Sequence, residues 1–144
     1  MITNPAEALA AHGIAPTPQR LAVYRAIAGN VTHPSVDEVF VGLRKRLPTL
    51  SKTTVYATLQ LLAAKRLIGC AHLDGGEVRY DGVADFHAHF RCRTCGKVFD
   101  VKAAGAHAKP FVKTPAGFEI ENEELAYYGR CPKCQKKKPT RKGK

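Results

Sequence analysis

Two Cys-x-x-Cys pairs constrain this chain more than any other feature: Cys92-Arg-Thr-Cys95 and Cys131-Pro-Lys-Cys134. Each spacing puts two sulfurs on one tight turn, within reach of one ion. Two such turns complete a closed tetrahedral site of four thiolates. A closed site leaves no position for a substrate, so the zinc it predicts is structural. Residues 96–130 separate the pairs, more than a compact zinc ribbon needs, so a small subdomain has to fit between the knuckles. The competing readings of such pairs are a redox dithiol and a disulfide. A fifth cysteine, Cys70, makes the total odd, and Met1 to Glu7 has no basic-then-apolar signal pattern; both argue against a disulfide framework.

Upstream of these pairs the chain reads as helices. Thr17-Pro18-Gln19-Arg20 is an N-cap with Pro at the first helical position, and the helix runs to about Ala28 before Gly29. Leu21, Tyr24 and Ala28 fall on its apolar face. Ser35-Val36-Asp37-Glu38 is a capping box, followed at helical spacing by Val36, Val39, Phe40, Leu43 and Leu47 until Pro48. Ser51 caps a third helix reaching about Leu67, with Val55, Leu59 and Leu62 as its buried stripe. A weaker helix covers Pro5 to His12 and stops at Gly13. Ile68–Leu73, a turn at Asp74-Gly75-Gly76, and Glu77–Asp81 then read as a hairpin.

Helices followed by a hairpin in this order point to a winged helix-turn-helix, which places its later helix in the DNA major groove. Lys52, Thr53, Tyr56 and Gln60 are its outward-facing candidates. The plain alternative is a bundle whose third helix is merely solvated. From Phe86 the pattern changes: Phe90–Arg93 and Val98–Val101 resemble strands, Ala103–Val112 a helix, and Phe118–Leu125 a further strand. The expected class is α+β: a winged-helix domain over 1–82, a linker at 83–85, a small α/β domain with the four-cysteine site over 86–135, and a basic tail at 136–144.

The net charge of +11, from 23 Lys+Arg against 12 Asp+Glu, favours a polyanionic partner. It is weighted towards the C-terminal part, where the tail from Lys136 to Lys144 fits either DNA attraction or solubility. Hydrophobic residues at 44% suffice for a core. No apolar stretch approaches the roughly 20 residues of a membrane span, so the expected location is the cytoplasm.

A second group of metal-binding residues bears on function. In His87-Ala88-His89 a strand would point both imidazoles to one face, where they can share a metal. Asp81 closes the hairpin, Asp100 follows the first cysteine pair, and His33 sits between two helices. Imidazole with carboxylate suits Fe(II), Mn(II), Ni(II) or Zn(II) and disfavours a soft metal.

With these pieces in order, the sequence resembles the ferric uptake regulator (Fur) family from about Gly13 to Cys134. The resemblance rests on Thr17-Pro18-Gln19-Arg20, His33-Pro34, Thr54-Val55-Tyr56 with Thr58-Leu59, the block His87-Ala88-His89-x-x-Cys92-x-x-Cys95-Gly96-Lys97, and Tyr128-Gly129-x-Cys131-x-x-Cys134. It implies a homodimeric, metal-dependent transcription regulator that binds a double-stranded operator through an N-terminal winged helix, with a C-terminal α/β dimerisation domain. By the same resemblance Arg20 joins the DNA-binding candidates. The regulatory ligands become His33, Asp81, His87, His89 and Asp100, taking Fe(II) or Mn(II). Iron-uptake members usually carry Glu at the two carboxylate positions, whereas the peroxide-sensing (PerR) branch typically carries Asp, as here. Zinc-uptake members often have Cys in place of Asp81, and Cys70 lies too early to replace it. A third metal site of some members would fall on Phe86, Ala88, His107 and Glu123, and Phe86 and Ala88 cannot ligate. Ala57 stands where many iron-uptake members have Arg.

The resemblance therefore implies a repressor that responds to peroxide through Fe(II)-catalysed oxidation of His33 or His87. The alternative is a regulator of iron or other metal uptake that senses occupancy alone. A hydrolytic metalloenzyme lacks a spare general base beside the cluster, and a zinc-ribbon RNA binder would leave the His and Asp residues without a role, so no enzyme is expected.

Overall fold

A computed structural model describes residues 4–73, 76–83, 87–102, 113–121 and 123–136. The chain divides into two compact units, Met1–Asp85 and Phe86–Lys144. The expected turn at Asp74-Gly75, the helix over Ala103–Val112, Phe86, His107 and the tail beyond Lys136 lie outside the described residues. Among the described residues no helix is long and apolar enough to cross a membrane.

The first unit is helical, closed by a hairpin: α1 (Pro5–Ala11), α2 (Pro18–Ile27), α3 (Val36–Arg44), α4 (Lys52–Ala64), β1 (Gly69–His72) and β2 (Val78–Asp81). Its caps are those expected. The Thr17, Ser35 and Ser51 side chains accept from the backbone N–H of Arg20, Glu38 and Thr54, and the Ser35–Glu38 box is reciprocal. Gly13 and Gly29 follow α1 and α2 in the left-handed conformation that ends a helix. Helix α3 stops at Arg44, short of Leu47. Helix α4 stops at Ala64 rather than near Leu67, because Arg66 turns left-handed (φ 62°) and the N–H of Leu67 closes back onto the carbonyl of Leu62 at 3.0 Å.

The core of this unit gathers Leu9, Ile14, Val23, Ile27, Val39, Leu43, Leu50, Val55, Leu59, Leu62, Ile68 and Tyr80. The α4 stripe is as expected. In α2 the fully buried residues are Val23 and Ile27, while Leu21 and Tyr24 are only partly covered. Helix α2 packs against both α3 and α4, and that placement rotates the buried face towards Val23. The hairpin is antiparallel, with Cys70 opposite Tyr80 and Gly69 opposite Asp81.

The second unit holds β3 (Ala88–Cys92), β4 (Val98–Val101), β5 (Ala126–Gly129) and the short α5 (Pro132–Lys136). The strand order is β4-β3-β5, antiparallel on one side and parallel on the other. The strand expected at Phe118–Leu125 is absent: its described residues carry no strand pairing, and Phe118 and Ile120 are exposed. A turn at Pro115–Phe118 and the acidic stretch after Glu119 precede the pairing, which begins where the N–H of His89 meets the carbonyl of Leu125.

Candidate metal centres

The four cysteines come together because β3 and β5 run parallel. Cys92 ends β3 opposite Gly129, the N–H of Arg93 donates to the Gly129 carbonyl, and Cys131 follows two residues later at the start of α5. The first knuckle is a tight turn in which the N–H of Gly96 donates to the Cys92 carbonyl at 2.8 Å. All four sulfurs lie within 4.8 Å of one another, and Cys95 and Cys131 are 4.0 Å apart. Tetrahedral sulfurs at about 2.3 Å from zinc stand about 3.8 Å from each other, so the cluster has the dimensions of a zinc site made of four thiolates.

Its electrostatics are those of a site built for a cation. The backbone N–H groups of Cys95 and Cys131, each 3.4 Å from Cys92 Sγ, hold that thiol down at about 5. Burial pushes Cys134 up to about 12, with hydrogen bonds to the other cysteines acting in the same direction. Four clustered sulfurs, three of them buried and only Cys95 exposed, therefore do not ionise together on their own. A dication makes thiolates of all of them and releases protons as it binds.

The imidazole and carboxylate candidates form two sets, one in each unit. In the first unit His33 and Asp81 are both 1% exposed, with His33 Nε2 3.9 Å from Asp81 Oδ2. That is too long for a hydrogen bond, yet atoms each about 2.1 Å from one ion stand roughly 3–4 Å apart. Asp81 is buried beside Tyr80, so both faces of the end of strand β2 are covered: Tyr80 enters the core and Asp81 faces His33. The other Asp81 oxygen accepts from the N–H of Val83 at 2.8 Å, which fixes the carboxylate. His33 is held at φ 56°, in the left-handed region.

In the second unit His89 lies directly opposite Asp100 in the β3–β4 register, so their side chains share one face. His87 precedes His89 by two residues and joins them. Asp100 Oδ1 is 3.1 Å from His87 Nε2 and 3.7 Å from His89 Nε2, and the two rings meet edge-on at 4.6 Å. Three nitrogen and oxygen donors on one face suit a borderline or hard divalent cation.

The nucleic-acid candidates divide. Thr53, Tyr56 and Gln60 lie on the exposed face of α4, where Gln60 Nε2 donates to the Tyr56 hydroxyl at 2.9 Å. Lys52 is exposed and ion-paired with Asp37 of α3. Arg20 is half-buried and donates to the Ala15 carbonyl at 3.1 Å, a contact that shapes the entry to α2. Sequence reasoning passed over Arg79, which donates to the His33 carbonyl at 3.1 Å. Its alternation with Glu77, just before β2, and with Asp81 at the end of β2 was the available signal.

The family model for the ferric uptake regulator family matches residues 11–128. The chain is 30% identical over 132 residues to the peroxide operon regulator of Bacillus subtilis, covering 91% of each chain. It is 33% identical over 135 residues to the transcriptional regulator FurA of Mycobacterium tuberculosis, covering 92% of this chain and 91% of that one. Its fold is similar to that of the ferric uptake regulator from Pseudomonas aeruginosa solved with manganese, with TM-score 0.65, 20% identity, and 90% and 99% of the two chains covered. With helices followed by sheets, a four-cysteine cluster, and His and Asp sets at the positions that the motifs require, the chain belongs to the ferric uptake regulator family of metal-responsive transcriptional regulators.

Proposed function

We propose that this chain is a metal-dependent, DNA-binding transcriptional repressor acting as a homodimer in the cytoplasm. The observation that carries this reading is the His33–Asp81 pair, a buried imidazole and carboxylate set among helices, two residues before the Ser35 cap of α3. In this reading α2 to α4 and the β1–β2 hairpin form a winged helix-turn-helix. Thr53, Tyr56 and Gln60 face base edges, while Lys52 and Arg20 serve the phosphate backbone. Cys92, Cys95, Cys131 and Cys134 hold structural zinc, and the second unit carries the dimer contacts.

One regulatory ion, Fe(II) or Mn(II), takes His33, Asp81, His87, His89 and Asp100. These residues would offer it five nitrogen and oxygen ligands, fewer than a six-coordinate ion takes. Fe(II) held by these residues would supply the electron for peroxide cleavage, a chemistry that Mn(II) would not readily offer. His33 and His87 are the imidazoles that gain the oxygen atom. A ligand so altered no longer holds its share of the site, and the recognition helices of the dimer lose the spacing that fits two half-sites. Two Asp ligands, the pattern of the peroxide-sensing branch, support this reading, as does the likeness to a peroxide operon regulator. The likeness to FurA supports the second reading, in which occupancy alone is sensed through the same ligands.

The test uses DNA selected from a random pool by the Mn(II)-loaded protein. Fe(II)-loaded protein given dilute peroxide is expected to release this DNA and to gain oxygen on the peptide holding His33 or His87. Mn(II)-loaded protein is expected to stay bound. Equal release from both forms, or release without histidine oxidation, transfers the assignment to occupancy sensing. DNA binding that is indifferent to metal overturns both readings.

A further inference from the structure

We infer that Arg79 is a positioning residue for the regulatory metal, acting through the backbone of His33. The inference rests on the reading of His33 as a ligand. His33 adopts φ 56°, a conformation that residues with side chains rarely take and that persists only where the surroundings enforce it. The surroundings here are β2. The N–H of Tyr80 donates to the Pro34 carbonyl at 3.0 Å, and the N–H of Gly82 donates to the Asn30 carbonyl at 3.1 Å. Between these two ties the His33 carbonyl accepts from Arg79 Nη1 at 3.1 Å.

The guanidinium is itself held. Arg79 Nη2 pairs with Glu77 at 3.1 Å, and Nη1 lies 3.5 Å from Glu38 Oε1. That same Glu38 oxygen accepts from the N–H of Ser35 at 2.9 Å and completes the cap of α3. The Arg79 side chain is only 18% exposed and its bond to the His33 carbonyl is partly buried, while Glu38 and Glu77 hold the guanidinium from the solvent side. One planar group therefore ties three things together: the carbonyl of a left-handed histidine, the cap of α3 and the strand that ends in Asp81. Removing it frees the peptide that aims His33 at Asp81 and leaves both ligands in place chemically.

The experiment measures Mn(II) affinity of the zinc-loaded full chain from the EPR signal of free Mn(II). The proteins are the parent, Arg79→Met, Arg79→Lys, His33→Ala and the double variant His33→Ala/Arg79→Met. Arg79→Met keeps the aliphatic stem and is expected to weaken Mn(II) about tenfold or more, as loss of groups that orient ligands typically does, while the helical circular-dichroism signal is retained. In the His33→Ala background the same change is expected to add nothing, since the residue it positions is gone. If His33→Ala leaves Mn(II) affinity unchanged, the ligand reading itself fails. If His33→Ala weakens binding but Arg79→Met does not, or the two effects add, the positioning role is overturned. Should Arg79→Met lose its helical signal, Arg79→Lys decides. It keeps a charge between Glu38 and Glu77, yet an ammonium cannot reproduce the fork. Parental affinity in folded Arg79→Lys overturns the inference; weakened affinity that disappears in the His33→Ala background supports it.

Discussion

Removing zinc is expected to unfold the second unit and spare the first. The reason lies in what each unit buries. In the first, a dozen apolar side chains close one core. In the second, the buried apolar residues among those described are Ala88, Val98, Cys92, Cys131 and Cys134, with Phe90 packed against the sulfurs. Fully burying one aliphatic side chain contributes about 1.5–3 kcal/mol. Among the described residues of one protomer, Ala88 and Val98 therefore supply a few kcal/mol at most, before the entropy of ordering the chain is charged against them. Structural zinc on thiolates contributes about 10–16 kcal/mol at neutral pH, as much as the whole stability of an ordinary domain. The assay is hydrogen exchange read by mass spectrometry, on parent protein with a strong chelator and on Cys92→Ser, with zinc content measured alongside. Peptides spanning Ala88–Val101 and Ala126–Lys136 are expected to lose protection, while those spanning Pro18–Ile27 and Lys52–Ala64 keep theirs. Protection persisting in the second unit of a zinc-free sample would refute the reasoning, because some other source of stability would then have to exist.

Further outcomes follow from single positions. Burial, with Cys70 and Tyr56 adding to it, holds the Tyr80 hydroxyl up at about 12 against an ordinary value near 10, so the folded state keeps a proton that the unfolded state gives up. That stability, on the order of 2–3 kcal/mol, is fully present below pH about 10 and lost between about 10 and 12; urea midpoints across this window are expected to fall more steeply for the parent than for Tyr80→Phe. A Cβ at Gly82 would meet the backbone of Gly29 and Ile27, so Gly82→Ala is expected to cost about 3 kcal/mol in urea unfolding, and a neutral result would mean the end of α2 yields easily. Ser35→Ala breaks a buried reciprocal cap and is expected to cost about 1–2 kcal/mol by the same measure. Tyr56→Ala, at an exposed site, is expected to weaken binding of the selected DNA with the thermal midpoint unchanged; an unaltered affinity would remove Tyr56 from the interface.

The features legible in the sequence are those decided within a few residues. Thr17, Ser35 and Ser51 cap their helices because an N-cap needs only its own first turn. The cysteine pairs declare themselves because two sulfurs on one turn have few other uses. Features decided at a distance were not legible. Which face of α2 is buried depends on α3 and α4, so the stripe centred on Val23 and Ile27 rather than on Leu21 and Tyr24. The last strand forms at Ala126–Gly129 because that stretch lies alongside β3 in parallel, a pairing that no local pattern announces and that Phe118–Leu125 imitates by alternation alone. Arg79 was missed for a similar reason: its partner is a backbone carbonyl far away in the chain.

The division of donor types has a thermodynamic consequence for the proposed switch. The soft donors are complete within one unit, so zinc stabilises that unit without reporting on anything outside it. The donors proposed as regulatory are two in the first unit and three in the second, and neither set would fill a six-coordinate ion. If one ion takes all five, it stabilises only arrangements that present both sets at once. An ion at a hundred times its dissociation constant contributes about 2.7 kcal/mol to that arrangement, whereas driving an equilibrium from 1:99 to 99:1 takes about 5.5 kcal/mol. Metal at such concentrations therefore switches DNA binding only if the metal-free arrangements already lie within about 1–2 kcal/mol of balance. Anything that blurs the aim of one ligand uses up part of that narrow margin. The left-handed His33 and the Asp81 carboxylate that accepts from Val83 are the features that aim the first-unit pair. Loosening either is expected to raise the metal concentration needed for DNA binding well before it affects the fold.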